Sequence, residues 1–208
     1  RLSPDVRKLI REKVRERVTG PFRDMISGKT SPAWWLNFKN NWNSVCLANI
    51  LAAGVYSASS QEEQDFFVEN ACKYIKYYLA GFPPDGYCTE GTGYWEYGFG
   101  HYIYFSEIVR IVTGGKTNPM LWPEALKPAV FPFRAEIVNG VYPVFADCPM
   151  MPKPNERLLG FVSKCFGLGY HKYESSVPVP RFDKGAYMLS NLNYVFCFFR
   201  DLPSPTDK

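Results

Sequence analysis

Ten residues near the start of the chain hold four asparagines and three tryptophans: Trp34-Trp35-Leu36-Asn37-Phe38-Lys39-Asn40-Asn41-Trp42-Asn43. Capping of a helix by one Asn and packing of the indole rings account for one or two of these residues. The full set calls for something more. Carboxamides offer both a donor and an acceptor to hydroxyls and carboxylates, and indole faces form flat apolar walls. Together these are the materials of a carbohydrate cleft.

A second such segment runs from Pro84 to His101: Pro84-Asp85-Gly86-Tyr87-Cys88-Thr89-Glu90-Gly91-Thr92-Gly93-Tyr94-Trp95-Glu96-Tyr97-Gly98-Phe99-Gly100-His101. Its early glycines predict a bent loop whose backbone can approach a ligand closely. Tyr94, Tyr97 and His101 follow at spacings of three and four, so they share a face of any helix that has begun by Tyr94. Taken singly, each aromatic also suits a buried helix. No Lys-Ser/Thr follows the glycines, which leaves phosphate binding without its usual cation.

Composition narrows the chemistry further. Aromatic residues reach 17%, a load that suits stacking on flat rings or sugars. Six cysteines form no CxxC pair and there are only two histidines, His101 and His171, so a metal site is not expected, nor is an organic cofactor. Residues 1–29 carry nine Lys/Arg against four Asp/Glu, whereas the rest of the chain holds 15 basic and 16 acidic residues. That basic segment reads as a polyanion contact or as the solvated face of a helix. No basic cluster recurs among the aromatics, so nucleic acid is not an expected partner. No apolar run approaches the roughly 18 residues of a membrane-spanning helix.

The elements that must position these residues read as helices. Ser3-Pro4 opens one that Gly20-Pro21 is expected to stop, with Val6, Leu9, Ile10, Val14 and Val18 forming a buried stripe. A second is expected over 40–58, apolar almost all round after Val45. Ser60 and Glu63 form a capping-box pattern before a third, which runs to about Leu79. A fourth is expected over 95–112, with shorter helices over 119–126, 155–166 and 185–199. Pro/Gly-rich connections at 128–154 and 167–184 leave room for short strands. The expectation is an all-α chain of helical hairpins.

The Asn40-Asn41-Trp42-Asn43-Ser44-Val45-Cys46 run and the Asp85-Gly86…Glu90-Gly91-Thr92-Gly93-Tyr94-Trp95…Tyr97-Gly98 run together resemble the heparinase II/III-like polysaccharide lyases. A third stretch, Val144-Phe145-Ala146-Asp147, resembles the small loop before a late helix of that family's α/α toroid. The resemblance covers about residues 35–200. It implies that residues 1–208 are part of an incomplete (α/α) toroid, lacking upstream helices and a C-terminal β-sandwich domain of the same polypeptide. It further implies cleavage of a uronic-acid-containing glycan, such as a glycosaminoglycan or alginate, by β-elimination in the periplasm or outside the cell. Asn41 falls on the amide that meets the substrate carboxylate, and Tyr94 falls on the acid/base phenol. Asn40, Trp42, Glu90, Trp95, Tyr97 and His101 fall around the sugar.

The sequence departs from the family at Trp42, which follows Asn41 where many members carry a histidine. An incomplete toroid cannot close a cleft on both sides, so weak or no activity is expected of these residues alone. A glycan-binding or scaffold domain without turnover is the first alternative. The second is a helical interaction module, which requires Trp34, Trp35 and Trp95 to be largely buried.

Overall fold

The structure, a computed structural model, describes residues 3–170. Every regular element among them is helical, and their only β pairing is an isolated bridge between Val138 and Val141. The protein is all-α. No helix among the described residues is long and apolar enough to cross a membrane.

Helix α1 (Pro4–Val14) starts where Ser3 Oγ accepts the Val6 N–H at 3.4 Å. The expected stop at Gly20-Pro21 does not occur. A π-turn over Arg15–Thr19 carries the chain directly into α2 (Gly20–Ile26), and the Gly20 N–H reaches back five residues to the Arg15 carbonyl. The widened turn absorbs a proline that would break a regular α-helix. The expected buried stripe fails as well: α1 buries no residue, and Val6, Leu9 and Ile10 face outward.

Helices α3 (Asn41–Ser57) and α4 (Gln61–Tyr74) form a hairpin across a three-residue connection. The α4 cap varies the expected box. Ser60 Oγ accepts the Glu63 N–H at 3.2 Å, but the Glu63 carboxylate takes both the N–H and the hydroxyl of Ser59, each at 2.8 Å. After Ile75 the short α5 (Lys76–Leu79) ends the expected third helix. Helix α6 (Gly91–Val112) begins four residues before the expected Trp95, so Tyr94 is helical. It is the centre of the molecule, burying Trp95, Phe99, Tyr102, Ile103, Phe105 and Val109, and it packs along α3. Full burial of each such side chain stabilises the fold by about 1.5–3 kcal/mol.

The first eight residues of the expected connection at 128–154 are helical. After a 3-10 turn at Pro119–Leu121, α7 runs over Pro123–Ala135 despite Pro128 and Pro132 in its interior. A proline lacks the N–H that would reach the carbonyl four residues earlier, so Pro132 leaves the Pro128 oxygen without a helical donor. The buried Trp95 indole fills that role, donating Nε1–H to the Pro128 oxygen at 2.7 Å. Helix α8 (Glu156–Phe166) matches expectation, capped by Asn155 Oδ1 and closed at the left-handed Gly167. The expected helix over 185–199 and His171 lie outside the described residues.

Candidate functional site

The asparagine run separates into different tasks. Asn40 is the N-cap of α3, its Oδ1 accepting the Trp42 N–H at 3.1 Å. Asn43 is wholly buried and clamps the preceding 3-10 turn (Trp34–Asn37), donating Nδ2–H to the Trp35 and Leu36 carbonyls at 3.2 and 2.8 Å. Asn41 has no such structural duty. It is only 7% exposed, yet its carboxamide makes no hydrogen bond among the described residues. Its amide atoms keep contact with solvent, whereas the buried side-chain polar atom without a partner among the described residues is Asn43 Oδ1. Asn41 lies on the wall of a small cleft.

Tyr94 lies on the same cleft because of Gly98, one helical turn further along α6. A methyl group at position 98 would stand 2.8 Å from the Tyr78 hydroxyl and 3.0 Å from Asn41 Cβ. Glycine thus lets α6 close on the first turn of α3, and Ser44 Oγ fixes the contact by donating to the Gly98 carbonyl at 2.9 Å. Residues four apart share a helix face, so Tyr94 is presented beside Asn41. The opposite wall is the loop before α6. There Asp85 Oδ1 accepts the Tyr87 N–H at 3.1 Å, and Gly86, at φ +81°, presses on the Lys127–Pro128 backbone.

The cleft has a volume of about 70 Å³ and is lined by Asn40, Asn41, Tyr78, Glu90 and Tyr94, with Lys39 at its edge as the one cation among the lining residues. Since a water molecule takes up about 30 Å³ of the liquid, the space suits a carboxylate and its hydration rather than a sugar ring. Burial and the nearby Asp147 carboxylate raise the Glu90 pKa, which favours its protonated form. Tyr78 is buried, and desolvation raises its pKa well above the usual phenol range, keeping it neutral.

The other expected substrate contacts lie elsewhere. Trp42 is 47% exposed beside the cleft, edge-on to Trp34 at 6.0 Å, and Trp34 is in turn edge-on to Phe38 at 5.6 Å. These rings form an exposed aromatic ridge. Trp95 is 0% exposed, stacked on Phe99 at 5.4 Å and bonded to Pro128, so the expected sugar contact is instead a core position. Tyr97 and His101 do not line the cleft. His101 is buried edge-on to Tyr97 and Tyr104, with Nδ1 2.6 Å from the Tyr97 carbonyl. Because a carbonyl only accepts, Nδ1 carries the proton. Desolvation lowers the His101 pKa, so the imidazole is neutral near pH 7.

Lys39 and Tyr78 were not anticipated from the sequence. Adjacency to the asparagine run was a usable signal for Lys39, whereas Tyr78 reaches the site only through the close approach at Gly98. Among the described residues no group of three or more His, Cys, Asp or Glu is placed to hold a metal ion. No family model matches the chain. No curated protein matches it either.

Proposed function

We propose that the cleft between α3 and α6 belongs to a polysaccharide lyase that cleaves uronic-acid-containing glycans by β-elimination, the described helices forming part of an α/α toroid. The observation that carries this reading is the pairing of Asn41, whose carboxamide has no hydrogen-bond partner among the described residues and stays open to solvent, with the Tyr94 phenol on one small cleft. Removing the C5 proton of a uronate places enolate charge beside an existing carboxylate. Asn41, with Lys39 at the edge, stabilises that charge by donating to the carboxylate oxygens as it develops. Tyr94, as phenolate, takes the C5 proton. As phenol it protonates the O4 oxygen as the C4–O4 bond breaks, leaving a C4=C5 double bond. The sugar ring lies outside the cleft, against the Trp34–Trp42 ridge. A polymer of this kind is met outside the cytoplasm.

Of the three tryptophans that the interaction-module alternative needs buried, Trp95 is buried and Trp35 half-buried, but Trp34 is 61% exposed, which counts against it. Glycan binding without turnover is the competing reading that the absent imidazole after Asn41 favours. The two separate on one assay, the ultraviolet absorbance of unsaturated uronate released from alginate and glycosaminoglycan substrates. Turnover is expected to fall about 10²–10³-fold in Asn41→Ala and about 10²–10⁴-fold in Tyr94→Phe. Binding of the same polymers with no absorbance change over long incubation, in a polypeptide that also carries the expected β-sandwich domain, overturns the lyase reading. Undiminished turnover in both variants removes the assigned roles.

A further inference from the structure

Helix α1 is turned the opposite way to an ordinary amphipathic helix. Arg7, Lys8, Arg11 and Arg15 recur at helical spacing on one side, and that side faces the body of the protein, where it lines a groove against the C-terminal end of α3. Val6, Leu9 and Ile10 occupy the other side and face solvent. None of the four cations makes an ion pair or side-chain hydrogen bond among the described residues. Glu12 is the only carboxylate among the groove's lining residues. Four cations facing one carboxylate leave an excess of positive charge, and an anionic ligand relieves their mutual repulsion.

The groove's other features point to the kind of anion. Its volume is about 520 Å³, in the range of sites that enclose an organic ligand. Tyr56, 78% exposed, stands on the wall opposite the arginines. Such a ring, free of other duties, offers a flat face to a pyranose ring while guanidinium groups pair with carboxylates or sulfates in bidentate fashion. From Arg7 to Arg15 the cations extend over roughly 12 Å, and Tyr56 lies about 22 Å along α3 from Asn41, by the helical rise. The groove and the cleft are therefore separate sites at opposite ends of one helix.

We propose that the groove between α1 and the end of α3 is a second binding site for acidic oligosaccharides, which anchors the polymer at a distance from the site of elimination. The choice of a sugar among anions rests on the lyase reading, but the groove itself does not.

The test is titration calorimetry of the whole chain with an alginate hexauronate at 50 and 200 mM salt, with a neutral hexasaccharide and a single-stranded oligonucleotide of equal charge as comparisons. The variants are R7A/R11A/R15A and Y56A, neither of which removes a hydrogen bond or ion pair found in the fold. The triple variant is expected to weaken hexauronate binding more than about tenfold and to flatten its salt dependence. Y56A is expected to weaken hexauronate binding with the salt dependence unchanged. Elimination from a substrate too short to span both sites is expected to be the same in all three proteins. Hexauronate binding that the triple variant loses, in a protein with no elimination, upholds the groove and is the result that glycan binding without turnover predicts. Elimination with binding unaffected by the triple variant upholds the lyase reading and overturns the groove. Equal affinity for the oligonucleotide, or no loss with Y56A, overturns the assignment to a sugar.

Discussion

Asn40, Asn41 and Asn43 have the same side chain but different roles, and hydrogen-bond partners distinguish them. Asn40 gives its Oδ1 and Asn43 its Nδ2 to the backbone, while Asn41 makes no such bond and lies on the cleft. Tyr94 and His101, both expected at the substrate, divide in the same way. Tyr94 opens on the cleft, whereas His101 gives its Nδ1 proton to its own helix and its ring to neighbouring tyrosines. Its lowered pKa has a defined consequence for pH. Below the ordinary imidazole range the unfolded chain binds a proton that the folded protein resists, so stability falls as the pH drops from about 6.5 toward the lower folded value. Nitrogen-detected NMR on a His171→Gln background, which leaves a single imidazole, is expected to show His101 neutral and Nδ1-protonated at pH 6.5. In the same background, His101→Gln is expected to reduce the pH slope of stability between 6.5 and 5. An imidazolium at pH 6.5 would contradict the burial of this ring.

At the scale of elements, the long α6 depends on a contact that neither partner's local sequence announces. The Pro128 carbonyl loses its helical donor to Pro132, and the Trp95 indole replaces it. Trp95→Phe keeps most of the ring but orphans that carbonyl, at an expected cost of about 1–3 kcal/mol in urea unfolding. Pro132→Ala restores a backbone N–H at position 132. Trp95→Phe is therefore expected to cost less in the Pro132→Ala background, a coupling measurable in a double-mutant cycle. Independent, additive losses would show that the indole contributes packing alone. This pair also marks the limit of legibility. Caps at Ser3 and Ser60 announced two helix starts, because a cap is a local hydrogen bond, and Asn40 and Asn155 prove to cap two more. The continuation of α7 through two prolines, and of α1 through the π-turn at Gly20-Pro21, depended on partners or geometry that local pattern does not encode. Tyr94 and Asn41 could be picked out as chemical residues, but their meeting depends on Gly98, whose role appears only when α3 and α6 are packed.

The whole molecule is built unevenly about α6. The buried apolar side chains of α2 through α8 form one continuous core, while α1 contributes nothing to it. Its apolar residues face solvent and its charges face the groove, so folding gains little from holding it in place. Removal of residues 1–12 ends before the buried Thr19 and before Phe22, which stacks on Phe67 at 6.1 Å. The shortened chain is expected to unfold in urea within about 0.5 kcal/mol of the intact one, as for other changes away from packed features. It is also expected to lose the tighter, salt-sensitive component of hexauronate binding. A loss of 2 kcal/mol or more would mean that Val6, Leu9 and Ile10 are buried in solution, and the groove would then be the wrong place to seek a ligand. Retained stability with lost binding would mark α1 as an element kept for its charge. That outcome is the one expected of a helix that leaves its apolar side in water and turns four cations toward an otherwise well-packed body.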